Sequence, residues 1–202
     1  MTGATATIAP ASVSSRDAGV TAESEGELFD TFDEDGAPLG LQLRAHCHAH
    51  GIWHRAVYAY LFNGAGELLI QRRSLSKKVA PGQWDLSCAE HLAPGEGYRE
   101  GVVRGLAEEL GVTAEAEALT GPLAPVHKRR LVIPETGIKD YEFIEAYRLD
   151  GYEGPIAFNH QEVIAVRWVG LPQLRAEMEA RPQDFTVWFR EEIASVGFFG
   201  AA

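Results

Sequence analysis

The stretch from His91 to Val112 constrains this chain more than any other. It opens on a tight Pro94-Gly95 turn, exposes Glu96, and then reads as one amphipathic helix ending at Gly111. Val102, Val103, Leu106 and Leu110 recur at helical spacing and are expected to face a core. Glu100, Arg104 and Glu108 fall four residues apart and share the opposite side. Glu109 follows directly, and Gly111 stands where a left-handed C-cap is expected. Gly101 and Gly105 each cost a helix about 1 kcal/mol relative to alanine, so something is expected to pack closely there. Taken alone, Glu108-Glu109 reads as a solvated helix face.

The spacing of the whole segment overturns that reading. It resembles the Nudix box, G-x5-E-x7-R-E-U-x-E-E-x-G-U with U aliphatic, matched by Glu96, Arg104, Leu106, Glu108, Glu109, Gly111 and Val112. Glu90 replaces the opening glycine, and Gly105 replaces the glutamate after the arginine. The resemblance implies carboxylates on one helical face that gather a hard divalent cation, Mg²⁺ or Mn²⁺, through oxygen ligands. Such a metal neutralises a diphosphate and activates water to attack phosphorus. Gly105 removes one of the family's metal ligands, which leaves the number of metals open.

Composition narrows the partners. The 202 residues carry a formal net charge of −11, with a sequence pI near 5.1. That balance argues against a nucleic-acid backbone as the main partner, and no apolar run is long enough to span a bilayer. Cys47 and Cys88 suggest a reducing, cytoplasmic setting rather than a disulfide framework. Residues 1–26, rich in Ala, Thr, Ser and Gly, read as a disordered tail. A plastid or mitochondrial transit peptide is the alternative for that tail. Residues 27–202 are expected to form a single domain.

Along that domain, Leu28 to Phe32 alternates like a strand and Asp33 to Gly36 reads as a turn. His46, His48, His50 and His54 crowd a segment expected to be a polar loop, with Trp53 in the core; such density raises the chance of metal ligation. Strands are expected over 56–62 and 67–72, joined by a turn at Asn63 to Gly66, then over 84–88, 124–130, 141–149 and 163–169. On the strand over 141–149, Asp140 and Glu142 flank Tyr141 and therefore share a face. Arg72, Arg73, Lys77 and Lys78 form a basic cluster suited to phosphate. Helices over 172–180 and 184–195 close the chain. The second carries Phe185, Trp188, Phe189 and Ile193 as a core stripe. This order suggests an α+β fold with a mixed sheet between helices; the Nudix resemblance implies that the sheet is curved.

The resemblance extends from about Glu27 to Ser195. His54-Arg55-Ala56, Leu61-Phe62-Asn63, Leu68 to Arg73, Ser76-Lys77-Lys78 and Pro81-Gly82-Gln83-Trp84 look like the type I isopentenyl-diphosphate isomerase branch of the Nudix fold. His48 to Arg55 also matches a His-x2-Gly-x-Trp-His-Arg stretch found in hydrolases of that branch. The isomerase resemblance implies a metal centre of His48 (or His46), His54, His91, Asp140, Glu142 and Glu109. It also exposes a chemical gap. Ala89 stands where the isomerases' cysteine belongs, Arg130 aligns with their tyrosine and Gln183 with their tryptophan; only their glutamate is retained, as Glu142. Cys88, one residue early, is expected to point to the opposite face.

The hydrolase reading loses less. In it Glu108 and Glu109 ligate metal, and Arg104 and Glu96 fix the loop-helix geometry. Glu142 or a nearby carboxylate orients water. Arg72, Arg73 and Lys77 hold the diphosphate, with Trp84 or Tyr98 stacked on an organic group. The expected reaction is metal-assisted hydrolysis of a small-molecule diphosphate, of the nucleoside or prenyl class, to a monophosphate. Isomerase-like chemistry and a non-catalytic metal- or nucleotide-binding module are the alternatives. Neither the organic group nor the oligomeric state is written in the periodicity.

Overall fold

The computed structural model describes residues 26–200. The expected tail therefore lies, but for Gly26, outside the described residues. A hairpin comes first, β1 (Leu28–Phe32) paired antiparallel with β2 (Pro38–Leu43), followed by the short helix α1 (Arg44–His50). The central strand β3 (His54–Leu61) leads into β4 (Leu68–Arg73) through the expected turn. Two short strands, β5 (Trp84–Asp85) and β6 (Cys88–His91), precede the long helix α2 (Tyr98–Leu110). Strands β7 (His127–Ile133), β8 (Ile138–Leu149) and β9 (Val163–Val169) follow, then α3 (Leu171–Ala180) and α4 (Val187–Ser195).

The strands form a mixed four-stranded sheet in the order β6-β3-β8-β7 and an antiparallel one in the order β5-β4-β9. Strand β3 runs parallel to β8, with His54 opposite Glu142, and antiparallel to β6, with Ala56 opposite His91. That register brings the ends of three strands to one place. Because side chains alternate along a strand, β3 feeds two cores. Ala56, Tyr58 and Tyr60 pack with Leu174, Met178, Trp188, Phe189 and Ile193, whereas Val57, Ala59 and Leu61 pack with Val102, Leu106 and Leu110. The sheets are thus sandwiched between α2 on one side and α3 with α4 on the other. Each fully buried leucine, such as Leu106, contributes about 2 kcal/mol by leaving water.

Helix α2 starts and stops as its sequence directs. Glu100 reaches back to accept the Gly97 N–H at 2.7 Å, a carboxylate placed in the first turn. At the other end Gly111 adopts φ 66°, and the Gly111 and Val112 amides close on the carbonyls of Ala107 and Leu106.

Several segments differ from expectation: the strand expected over 124–130 lies at His127–Ile133, and the last helix starts at Val187, leaving Phe185 before it. Residues 44–50 form helix α1 rather than a loop, and β2 is an additional strand. The strand expected over 84–88 is two strands, because the chain changes partner from β4 to β3 there. Ser87 occupies the joint: its hydroxyl accepts the Leu61 N–H at 2.8 Å and donates to the Leu69 carbonyl at 2.6 Å. Among the described residues no helix is long and apolar enough to cross a membrane.

Candidate active site

A cavity of about 790 Å³ opens between α1, β6, the carboxylate face of α2 and the β7–β8 hairpin. One end is histidine-rich. Helix α1 turns His48 inward and leaves His46 and His50 exposed, their rings 4.4 Å apart. Gly51 ends α1 at φ 68°, where a Cβ would strike the Tyr141 ring at 2.9 Å, so the tight exit requires glycine. His54 begins β3, His91 ends β6, and Asp140 with Glu142 lies on the inward face of β8. Phe29 of β1 stacks on His54 at 4.7 Å and touches His91 at 4.8 Å, walling this end.

Here four ligand atoms, one each from His48, His54, His91 and Asp140, lie within 4.8 Å of one another. His48 Nε2, His54 Nε2, His91 Nε2 and Asp140 Oδ1 are all buried without a hydrogen-bond partner. Burying that many polar atoms unsatisfied is costly. The His54 ring is oriented from behind: Nδ1 donates to the Ile52 carbonyl at 2.9 Å, so Nε2 faces His48, His91 and Asp140 as a lone pair in the neutral ring. Asp140 Oδ1 is 3.2 Å from His54 Nε2, and Glu142 Oε1 is 3.1 Å from His91 Nε2. Imidazole nitrogens converging with a carboxylate oxygen fit a divalent cation. Glu142 is further tied to Arg129 by an ion pair.

The protonation states reflect the same shortage of positive charge. Burial drives His48 down to about 3, opposed by Asp140. For His91, burial and Arg44 pull downward, yet Asp140 and Glu142 outweigh them and hold it at about 9. Burial works against ionised Asp140 and Glu142, but His54 and His91 keep the first, and Arg129 the second, below the ordinary carboxylate value.

The other end is the helix α2 face. Arg104 organises it by donating to both Glu96 oxygens at 2.8 and 2.9 Å, to Glu108 at 3.1 Å and to the His91 carbonyl at 2.7 Å. Glu96 in turn accepts the Ala93 N–H at 2.8 Å, locking the Pro94-Gly95 turn onto the helix. Glu109 is 7% exposed, accepts from Gln71 at 2.5 Å, and is raised well above its ordinary value by burial first and then by Glu90 and Glu162. Glu108 is more open and lines the mouth with Arg104. Gly105 has a clear packing reason: a Cβ there would come within 2.7 Å of Cys88 Sγ. A lone Gly105→Glu substitution would therefore overpack this contact, and it does not report on a lost ligand by itself.

Of the expected phosphate ligands, Arg73 and Lys77 line the cavity. Lys77 pairs with Glu162, and Arg73 donates to buried Asp85 at 3.1 Å. Arg72 and Trp84 do not line it. Arg72 donates outward to the Gly82 carbonyl and, with Arg167, lies over the Trp84 ring, because alternation along β4 turns Arg72 away when Arg73 points in. Tyr98 likewise packs under Arg55 outside the cavity.

Ala89 faces the cavity, whereas Cys88 is buried in the α2 core, as the alternation expects. Arg130 lies on the outer face over Trp53 and Tyr141; its neighbour Arg129 enters the cavity, over Tyr58 and Trp188. Sequence reasoning assigned no role to Arg129, Glu162 or Arg44. Glu162 sits just before β9, and only the fold carries it to Lys77 and Glu109.

Comparison with known proteins defines the class. The NUDIX domain family matches residues 52–189, and the chain belongs to that family. It is 33% identical over 165 residues to an isopentenyl-diphosphate Delta-isomerase of Burkholderia multivorans, covering 82% of this chain and 90% of that one. It is 45% identical over 91 residues to the uncharacterized Nudix hydrolase PA4841 of Pseudomonas aeruginosa, 45% of this chain and 54% of that one. The solved structure of DR0079 from Deinococcus radiodurans superposes with a TM-score of 0.65 at 28% identity, over 84% of this chain and 99% of that one. The Nudix fold expected from the sequence is thus the fold observed.

Proposed function

We propose that this chain, as one domain beginning near Glu27, is a Nudix hydrolase that cleaves an organic diphosphate of the nucleoside or prenyl class with Mg²⁺ or Mn²⁺. The observation that carries the choice of hydrolysis is Ala89: a methyl group on the cavity wall can neither donate nor accept a proton, and Cys88 faces away from it. His48, His54, His91 and Asp140 hold one cation, with Glu142 beside them, and Glu108 and Glu109 serve the helix end. When bound, such a cation supplies Lewis-acid stabilisation of phosphoryl charge. Arg73 and Lys77 offer positive charge to the diphosphate, with Arg44 at the same mouth. Arg104 and Glu96 keep the α2 carboxylates in register. Glu142, kept ionised by Arg129, orients the attacking water. Ala56, Tyr58, Val79, Leu131 and Trp188 form an apolar wall for the organic group. The two cysteines are free, which suits a cytoplasmic setting.

The names and coverage of the isomerase relatives favour a second reading, isomerase-like chemistry at the same centre. A non-catalytic binding module is the third. A phosphate-release screen with Mg²⁺ or Mn²⁺ on nucleoside, prenyl and ADP-ribose-type diphosphates separates them. Metal-dependent turnover that falls at least tenfold in Glu109→Gln is expected. Proton exchange into isopentenyl diphosphate with no phosphate release would overturn hydrolysis in favour of isomerisation, and neither signal would leave the binding module.

A further inference from the structure

The two departures from the Nudix box lie against each other. A Cβ built on Gly105 would stand 2.7 Å from Cys88 Sγ, 3.1 Å from Glu90 Cβ and 3.4 Å from Glu90 Cγ. Side chains at both positions would contend for one volume, so a glutamate on the helix calls for a glycine on the strand, and the reverse. The box has the first arrangement. This chain has the second.

We propose that Glu90 supplies, from strand β6, the carboxylate that the box places on the helix where Gly105 stands, so that Glu90 and Glu109 are ligands of one divalent cation at the helix end of the cavity. The inference rests on the Nudix reading for the presence of that cation, and it replaces a lost ligand with a relocated one. Glu90 lines the cavity together with Glu108, Glu109 and Glu162. It is held without being consumed: Oε1 accepts the His91 N–H at 2.9 Å, and Oε2 is 3.4 Å from Arg104 Nη1. Glu90, Glu109 and Glu162 gather like charges on one wall of the cavity, with Lys77 paired to Glu162 beside them. A divalent cation between Glu90 and Glu109 turns that repulsion into ligation.

The bland account is that Glu90 braces Arg104 and its own strand end. Glu90→Gln separates the two, because the amide oxygen still accepts the His91 N–H while the carboxylate charge is gone. Mn²⁺ alone is the probe, with bound ions counted by electron paramagnetic resonance on the full chain without substrate. Glu90→Gln and Glu109→Gln are each expected to weaken the same single ion about tenfold or more, and the double variant to lose no second ion. The exchange Glu90→Gly with Gly105→Glu, made together with Cys88→Ala to clear the sulfur beside Gly105, is expected to bind that ion again, whereas Gly105→Glu with Cys88→Ala alone is not. Unchanged Mn²⁺ binding in Glu90→Gln overturns the proposal. So does an exchange variant that melts like the parent yet does not recover the ion; where the exchange does not fold, Glu90→Gln decides. No substrate enters this titration, so a failed hydrolysis screen leaves its answer intact.

Discussion

At the histidine end of the cavity, three ring nitrogens and a carboxylate oxygen face one another with no hydrogen-bond partner. At the helix end the carboxylates are already engaged, Glu109 by Gln71, Glu162 by Lys77, and Glu96 and Glu108 by Arg104. The first brings four potential ligand atoms together around Asp140, with His91 held up by the carboxylates beside it. The second is a set of carboxylates already held by donors, two of them cationic, which an added cation must displace. The contrast teaches that two acidic clusters in one cavity need not bind alike. The histidine end is therefore expected to bind a cation more tightly than the helix end, where an added cation competes with Arg104 and Lys77 for the carboxylates.

The largest expected effect tests the histidine end. Mn²⁺ at a hundredfold over its dissociation constant should stabilise the protein by about 2.7 kcal/mol, reversed by a chelator. His48→Ala, which removes a ligand from α1 without opening the sheet, should abolish that gain in thermal melts. A gain that survives His48→Ala would move the tight site elsewhere and break the contrast. A smaller effect is expected from Arg104→Lys. An ammonium cannot reproduce the fork that spans Glu96, Glu108 and the His91 carbonyl, so kcat should fall about tenfold while Mn²⁺-dependent melting changes little. Wild-type kcat in this variant would mean that the helix end does not need its arginine.

The smallest effect is a control outside the cavity. His127 lies 2.9 Å from Glu192, whose hydrogen bond raises it above its ordinary value. A histidine raised on folding stabilises fully below its unfolded value, near 6.5, and that contribution fades as pH climbs through the folded value. His127→Gln should remove this slope from the melting temperature above about pH 6.5. A slope that persists would assign it to another group. Mn²⁺ should leave the slope untouched, marking what a histidine-carboxylate pair does when no metal site surrounds it.

Helix α2 was legible because its apolar period, its glycine stop and its charge spacing all say the same thing. Strand β3 was legible because both of its faces are buried. Helix α1 and strand β2 were not. In α1 only Cys47 is buried, and every residue of β2 is exposed, so neither carries a hydrophobic period to read. The site divides in the same way. His48, His54, His91, Asp140 and Glu142 came from resemblance to a family, and they converge here. Arg72 came from a basic cluster and faces out, because a charge cluster does not say which of two neighbours on a strand points inward; Trp84, expected to stack on an organic group, packs under Arg72 and Arg167 instead. Glu162 and Arg129 depend on register between distant strands, and Glu90 on a missing Cβ across a packed interface. None of these leaves a mark in local sequence.

One contact of Arg104 reaches beyond the helix it serves. Its Nη2 grips the backbone carbonyl of His91, the residue whose ring belongs to the opposite end of the cavity. The guanidinium that spaces the glutamates therefore also sets where that ring begins. The separation between the two ends is fixed like the jaws of a caliper locked by one screw. Neither end can shift alone while this guanidinium holds both.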